Sequence, residues 1–238
     1  MDRKRYGEAL ILGVFICAGL ALLGYFIADG VVSFRALDRT VAAKGLSERE
    51  VAADIAIWPI RFDVADNDLA ALTANLEKQS LTVQEFLRAD GFTGDEITVG
   101  SPAIIDRRAQ RYGGPQEGFR YQGTATITVY SGNIEGVRAS MTRLVELGKK
   151  GIAVGSDDYD ARPQFLFTGL NDIKPDMIAE ATRNARQVAE KFARDSDSNL
   201  GKIRKASQGQ FSITDRDSNT PHIKNVRVVA TLEYYLTD

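Results

Sequence analysis

Cysteine and histidine are nearly missing from this sequence: Cys17 and His222 each stand alone among 238 residues. One cysteine excludes an intrachain disulfide, and one residue of each kind leaves no Cys/His zinc site. A nucleophile needs an activating base and an orienting helper within reach. Here the cysteine sits in an apolar run and the histidine follows Pro221 in a predicted turn. No G-x-S-x-G elbow, Walker loop or H-E-x-x-H occurs. The expectation is a non-enzyme with no catalytic residues, cofactor or metal. An excess of charge of either sign is also lacking: 30 bases against 32 acids give a net charge of -2. No basic face advertises nucleic acid binding.

What the sequence does have is one long charge-free run. Residues Ala9–Ala28, ALILGVFICAGLALLGYFIA, are long enough as a helix to cross the ~30 Å hydrocarbon core. The run exceeds a cleaved signal's apolar region, and no small-x-small cleavage site follows it. Bulky Ile16 before Cys17 spoils a lipoprotein box. Arg3, Lys4 and Arg5 precede the run, so the positive-inside rule keeps the N-terminus in the cytoplasm. The expected organisation is a cytoplasmic segment 1–8, a signal anchor 9–28, a juxtamembrane connector 29–38 and an extracytoplasmic domain 39–238. That describes a single-pass protein of the bacterial inner membrane with a periplasmic or extracellular body. Without Arg3, Lys4, Arg5, Asp2 and Glu8, the chain keeps 27 bases against 30 acids. Ala9, Gly13, Cys17 and Ala21 recur every four residues, a small-residue stripe suited to self-association in lipid.

The remainder reads as an α+β fold of mostly antiparallel sheets with three amphipathic helices, arranged as two similar α/β units. Two strands, Arg39–Lys44 and Glu50–Val64, are expected around a turn at Gly45. Val51, Ala53, Ile55 and Ile57 share one face of the second, whereas Ile60, Phe62 and Val64 fall on the other parity. The slip calls for a bend or bulge at Trp58-Pro59. Trp58 and Pro59 are therefore the candidate strand bend, with ligand contact as the alternative role for the tryptophan.

Helical spacing predicts Asp68–Asp90, capped by Asn67 and stopped by Gly91, with Leu69, Leu72, Leu76, Val83, Phe86 and Leu87 inward. Glu96–Ile105 and Gly118–Tyr130 read as strands. A second helix, Asn133–Lys149, turns Val137, Met141, Leu144 and Val145 inward. Extended pieces follow at Ile152–Val154 and Tyr159–Thr168. The third helix, Lys174–Asp195, presents Met177, Ile178, Ala181, Ala185, Val188, Ala189 and Phe192. Lys202–Thr214 and Ile223–Leu236 close the fold. A short echo links helix, glycine and strand in ITVG (Ile97–Gly100) and IAVG (Ile152–Gly155).

Other chemical candidates are weak. Asp157-Asp158, adjacent acids that point to opposite faces on a strand, read as a solvated turn rather than a calcium site. Arg107, Arg108 and Arg111 near Gly113-Gly114-Pro115 read as a hairpin loop, with an anionic lipid or partner as the alternative.

The run KGLSEREVAADIAIWP, ending at Pro59, resembles the opening of SIMPL-domain proteins, also called the domain-of-unknown-function 541 family. The run FTGLNDIKPDMIAEATRNARQVAEKFARDSDSNLGKIRKASQGQFSI, Phe167–Ile213, resembles that family's alanine-rich helix and following strand. Together the resemblance covers about Arg39–Tyr235. It implies a periplasmic or membrane-anchored protein, relatives described in oxidative-stress defence, and homo-oligomers of ring or channel-like form. It supplies no catalytic residues. The body's own chemistry gives the stress label no support, because it holds no cysteine and only Met141 and Met177 as thioethers. The expected partners are thus the lipid bilayer and further copies of the chain, and the expected function is envelope self-assembly or scaffolding. The alternative is a periplasmic binding module for a small ligand or envelope polymer, using a cleft beside Trp58.

Overall fold

A computed structural model describes residues 3–36, 39–109, 118–155 and 161–237. They form an α+β protein with antiparallel strand pairs, divided into two compact units. The first unit comprises Met1–Ser47, Pro175–Phe211 and Val228–Asp238; the second comprises Glu48–Lys174 and Ser212–Arg227.

The chain opens with helix α1, Arg3–Ala36, so the expected connector is largely helical too. Among the described residues, no helix is long and apolar enough to cross a membrane. The expected transmembrane span is therefore not a finding of the structure.

In the first unit, strands β1 (Thr40–Ala52), β10 (Ile223–Thr237) and β8 (Asn199–Gln208) lie in that order. Helix α5 (Leu170–Asp195) covers β1 and β10, with Ala185 and Ala189 packed on Ala43, Leu232 and Tyr234. The expected turn at Gly45 does not exist, because β1 runs straight through it. Gly45 is there to let two backbones meet. A Cβ on it would stand 2.0 Å from the carbonyl oxygen of Ala181 and 2.2 Å from the amide nitrogen of Ala185. The buried stripe of α5 is Met177, Ala181, Ala185, Ala189 and Ala193, one residue per turn, while Val188 and Phe192 are exposed. Only small side chains permit so close an approach, which narrows the stripe below the usual helical face. The helix ends at a left-handed Asp197, where Ser198 N–H donates back to the Ala193 carbonyl.

The second unit is built on β2 (Ile55–Asp66) paired antiparallel with β5 (Tyr121–Ser131). From β2, helix α2 (Leu69–Ala89) leads to β3 (Ile97–Val99), which pairs with β5. From β5, helices α3 (Ile134–Thr142) and α4 (Val145–Lys149) lead to β6 (Val154–Gly155), which pairs with β2. The order β3-β5-β2-β6 is that of two interleaved split β-α-β motifs. The ITVG and IAVG echo therefore marks equivalent short strands on either side of one sheet. The two similar α/β units that it suggested both lie within the second compact unit. Strand β4 (Ala103–Asp106) extends the edge on β5, β7 (Gln164–Leu166) extends β2, and β9 (Ser212–Asp215) pairs with the start of β10.

The expected bend at Trp58-Pro59 is corrected by this register. Pairing with β5 is unbroken from Ala56 opposite Ser131 to Asp66 opposite Tyr121. Ala56, Trp58, Ile60, Phe62 and Val64 are all buried on one face, so the phase holds through the proline. The slip is real but occurs earlier, at Ala53-Asp54 between β1 and β2. Ile55 and Ile57 point to the opposite face and are only half-covered. Pro59 sits between the stretches of β2 that pair with β7 and β6; among the described residues nothing pairs with Trp58–Ile60 on that side. A missing N–H is tolerated where the ladder is interrupted.

Three helix assignments also change. Asp68, not Asn67, caps α2 by accepting from Ala71 N–H at 2.8 Å; Asn67 accepts from Arg120 N–H instead. Gly91 does close that helix, at φ +94°. The expected Asn133–Lys149 helix breaks at Arg143-Leu144, which buries Leu147 and exposes Val145. The third begins four residues before Lys174, because the Asp54 carboxylate accepts from the N–H groups of Thr168 and Gly169 at its start.

Replacing Gly45 with alanine is expected to lower stability by about 2–4 kcal/mol, since helix and strand backbones must separate. Gly148→Ala in α4, where a Cβ meets nothing within 4 Å, should be neutral or stabilise by up to about 1 kcal/mol. Urea midpoints of the two variants measure the contrast; equal midpoints would contradict the close approach.

Candidate functional site

A cavity rich in chemically capable groups lies in the second unit, around the turn between β9 and β10. It has a volume of about 530 Å³. Helix α3 contributes Arg138, Met141 and Thr142; β7 contributes Phe165; the turn contributes Ser218, Asn219, Pro221 and His222. The His222 ring packs edge-on to Phe165, with centroids 6.1 Å apart. Its carbonyl accepts from Ala53 N–H at 2.8 Å, so the histidine also braces the corner between β1 and β2. Arg138 is held by Glu135 through contacts of 2.9 and 3.1 Å. A cation, an aromatic edge and several hydrogen-bonding groups on an open wall suit a polar ligand.

Asp217 ties this turn together. The Asp217 carboxylate accepts from Thr220 Oγ1, from Arg216 Nε at 3.1 Å, and from the N–H groups of Asn219 and Thr220 at 2.8 Å each. The Thr220 hydroxyl above all, then the Arg216 guanidinium and the Asn219 N–H, hold the carboxyl far below the ordinary range.

The other sequence candidates are not gathered here. Trp58 is 2% exposed, a core residue of the second unit that does not line this cavity. Arg107 donates to Gln122 at 2.9 Å, while Arg120 pairs with Asp106. Arg111, Gly113, Gly114, Pro115, Asp157 and Asp158 lie outside the described residues, as does the side chain of Ala9. Gly13, Cys17 and Ala21 are exposed on α1. Met177 is fully buried and Met141 half-buried. Among the described residues no group of three or more His, Cys, Asp or Glu is placed to hold a metal.

Several residues that the sequence reading passed over organise this unit. Asp54 caps the start of α5 from 114 residues away. Glu96 accepts from the Ser131 hydroxyl at 2.5 Å and from Thr93 N–H and Oγ1 at 2.9 Å. The Ser131 bond chiefly, with Thr93, lowers its pKa. Asp90, its side chain 3% exposed, pairs with Arg143. Only the Glu96–Thr93 contact, a capping box, had a local sequence signal.

The family model for SIMPL, a protein of unknown function (DUF541), matches residues 41–231. This chain belongs to the SIMPL family. The matched region begins in β1 and ends in β10, so it takes in parts of both units and leaves α1 outside. No curated protein matches the chain.

The SIMPL turn at Asp217 sets a pH dependence. A carboxyl whose folded pKa is depressed stabilises fully above its unfolded value near ~4, and that contribution fades as pH falls toward the folded value. Asp217→Asn is therefore expected to flatten the fall in urea midpoint between about pH 5 and pH 2. Parallel curves for variant and parent would show that the turn carboxylate contributes nothing.

Proposed function

We propose that this SIMPL protein is a non-enzymatic, helix-anchored envelope protein. In this reading α1 crosses the bacterial inner membrane once, with the N-terminus inside, and self-associates there to gather copies or partners on the far side. One observation carries it: every residue of α1 from 13 to 28 is exposed. Val14, Phe15, Ile16, Leu20, Leu22, Leu23, Tyr25, Phe26 and Ile27 stand exposed on all sides of the helix. Leaving them in water would forgo on the order of 10–20 kcal/mol of apolar burial. A helix apolar all round belongs in a core or in lipid. The three bases before the run favour the inward N-terminus.

Gly13, Cys17 and Ala21 supply the self-association face, and a Cβ built on Gly13 meets nothing within 4 Å. In lipid, such positions let a second helix approach. Any part in stress defence runs through partners, given how little thioether surface the fold leaves open.

Cys17 is its own reporter. Mild oxidation of intact membranes should give a Cys17–Cys17 dimer, since a disulfide requires Cα atoms within about 7 Å. Gly13→Leu with Ala21→Leu should cut its yield at least severalfold. Added protease should digest the body in intact spheroplasts. A monomer throughout sinks the self-association, and a protected body sinks the topology.

A second reading, a binding module for an envelope polymer, is favoured by the cavity at His222. Its Arg138, Phe165 and Asn219 suit an acidic, ring-bearing chain. Titration with acidic cell-wall fragments should give saturable binding that Arg138→Ala weakens at least fivefold, following loss of a charge-assisted contact. Affinity unchanged in that variant, or no binding, removes this reading.

A further inference from the structure

A second cavity in the same unit has a different character. Between α2 and the β3–β4 edge runs a groove of about 400 Å³, within the ~300–1,000 Å³ range of small-molecule sites. Its apolar surface comes from Leu76, Leu81, Val99 and Ile104, of which the last three are more than two-fifths exposed. The strand beneath, β5, carries small residues on this face. Gly123 has no room for a side chain, as its Cβ would stand 2.5 Å from Leu76 Cδ1. Ala125, two residues on, forms part of the groove lining.

The adjoining edge discourages an added strand. Val99 pairs with Ile127 and Ala103 with Thr124, so residues 100–102 face only residues 125–126. That is one extra residue, and it includes Pro102, which has no N–H to offer. Gly100 N–H is already spent on the Thr126 carbonyl at 2.9 Å. A bulged edge with a proline is blunted against strand pairing. The groove is thus left to a ligand that brings apolar bulk without needing backbone hydrogen bonds.

Charge selects the ligand further. The single charged side chain in the lining is Glu77, which stands one helical turn from Leu81 on α2. The geometry points to a site for a small amphiphile with an alkyl body on Leu81, Val99 and Ile104 and a protonated amine head at Glu77. This site is independent of the anchoring of α1 and of the cavity at His222.

The test uses the full chain in lipid nanodiscs with methyl-labelled Leu, Val and Ile, titrated separately with n-octylammonium, n-octanol and n-octanoate. Octylammonium should give saturable shifts at the Leu81, Val99 and Ile104 methyls. It should bind roughly three- to fivefold more tightly than octanol, the size expected for an exposed charge pair, and octanoate should bind most weakly. Glu77→Gln should bring octylammonium level with octanol. Leu81→Glu, at an exposed position, should remove saturable binding while the core methyls keep their shifts. Shifts confined to α1, which report partition into the bilayer, would overturn the site. So would equal affinity for all three probes, or binding indifferent to both substitutions.

Discussion

The second unit depends on one ladder, the unbroken pairing of β2 with β5. Its length fixes which face of each strand is inside, because a slip of one residue would turn Trp58, Ile60 and Phe62 out to water. Each strand then sends a helix out and receives a short strand back on the other's flank, β3 on β5 and β6 on β2. The inner face of β5 grades from Gly123 and Ala125 to Ile127 and Val129. Helix α2 packs hard where the strand is smallest and leaves a groove beside it.

Where the ladder ends, carboxylates take over. Asp54, Asp68, Glu96 and Asp217 each accept main-chain N–H groups at a strand corner, a helix start or a tight turn. Such donors have no partner within a helix or ladder, and a charged acceptor satisfies them more strongly than a neutral one. The abundance of acids in this chain thus has a structural use. In the first unit the corresponding device is steric: a stripe of alanines and Gly45 let helix and strand backbones nearly touch.

Legibility tracked the range of the interaction. Helix α2 and its glycine stop were readable because stripe, cap region and C′ residue all lie within one segment. The ITVG and IAVG echo was readable as similarity, but its meaning as two sides of one sheet depends on strand order. The change of phase near Trp58 was visible, yet its position was misread because Ile55 and Ile57 looked like core. Their half-covered side chains on the outer face, beside β7, could not be distinguished locally from buried ones. Gly45 looked like a turn because a glycine required by a helix arriving 140 residues later carries no local mark. Of the sites, the lone histidine and the small-residue stripe were legible as residues, but the cavity around His222 and the groove over Ala125 were not.

The sequence by itself determined composition-level limits: no intrachain disulfide, no Cys/His metal site, one charge-free run and alternations that point to a mixed α and β fold. These follow from residue types and short-range periodicity, which act within a few positions along the chain. Tertiary structure alone decided where the chain turns its buried face, why a glycine lies mid-strand, and which polar groups share a cavity. Those outcomes rest on contacts between segments far apart along the chain, whose fit is set by volume and hydrogen-bond geometry.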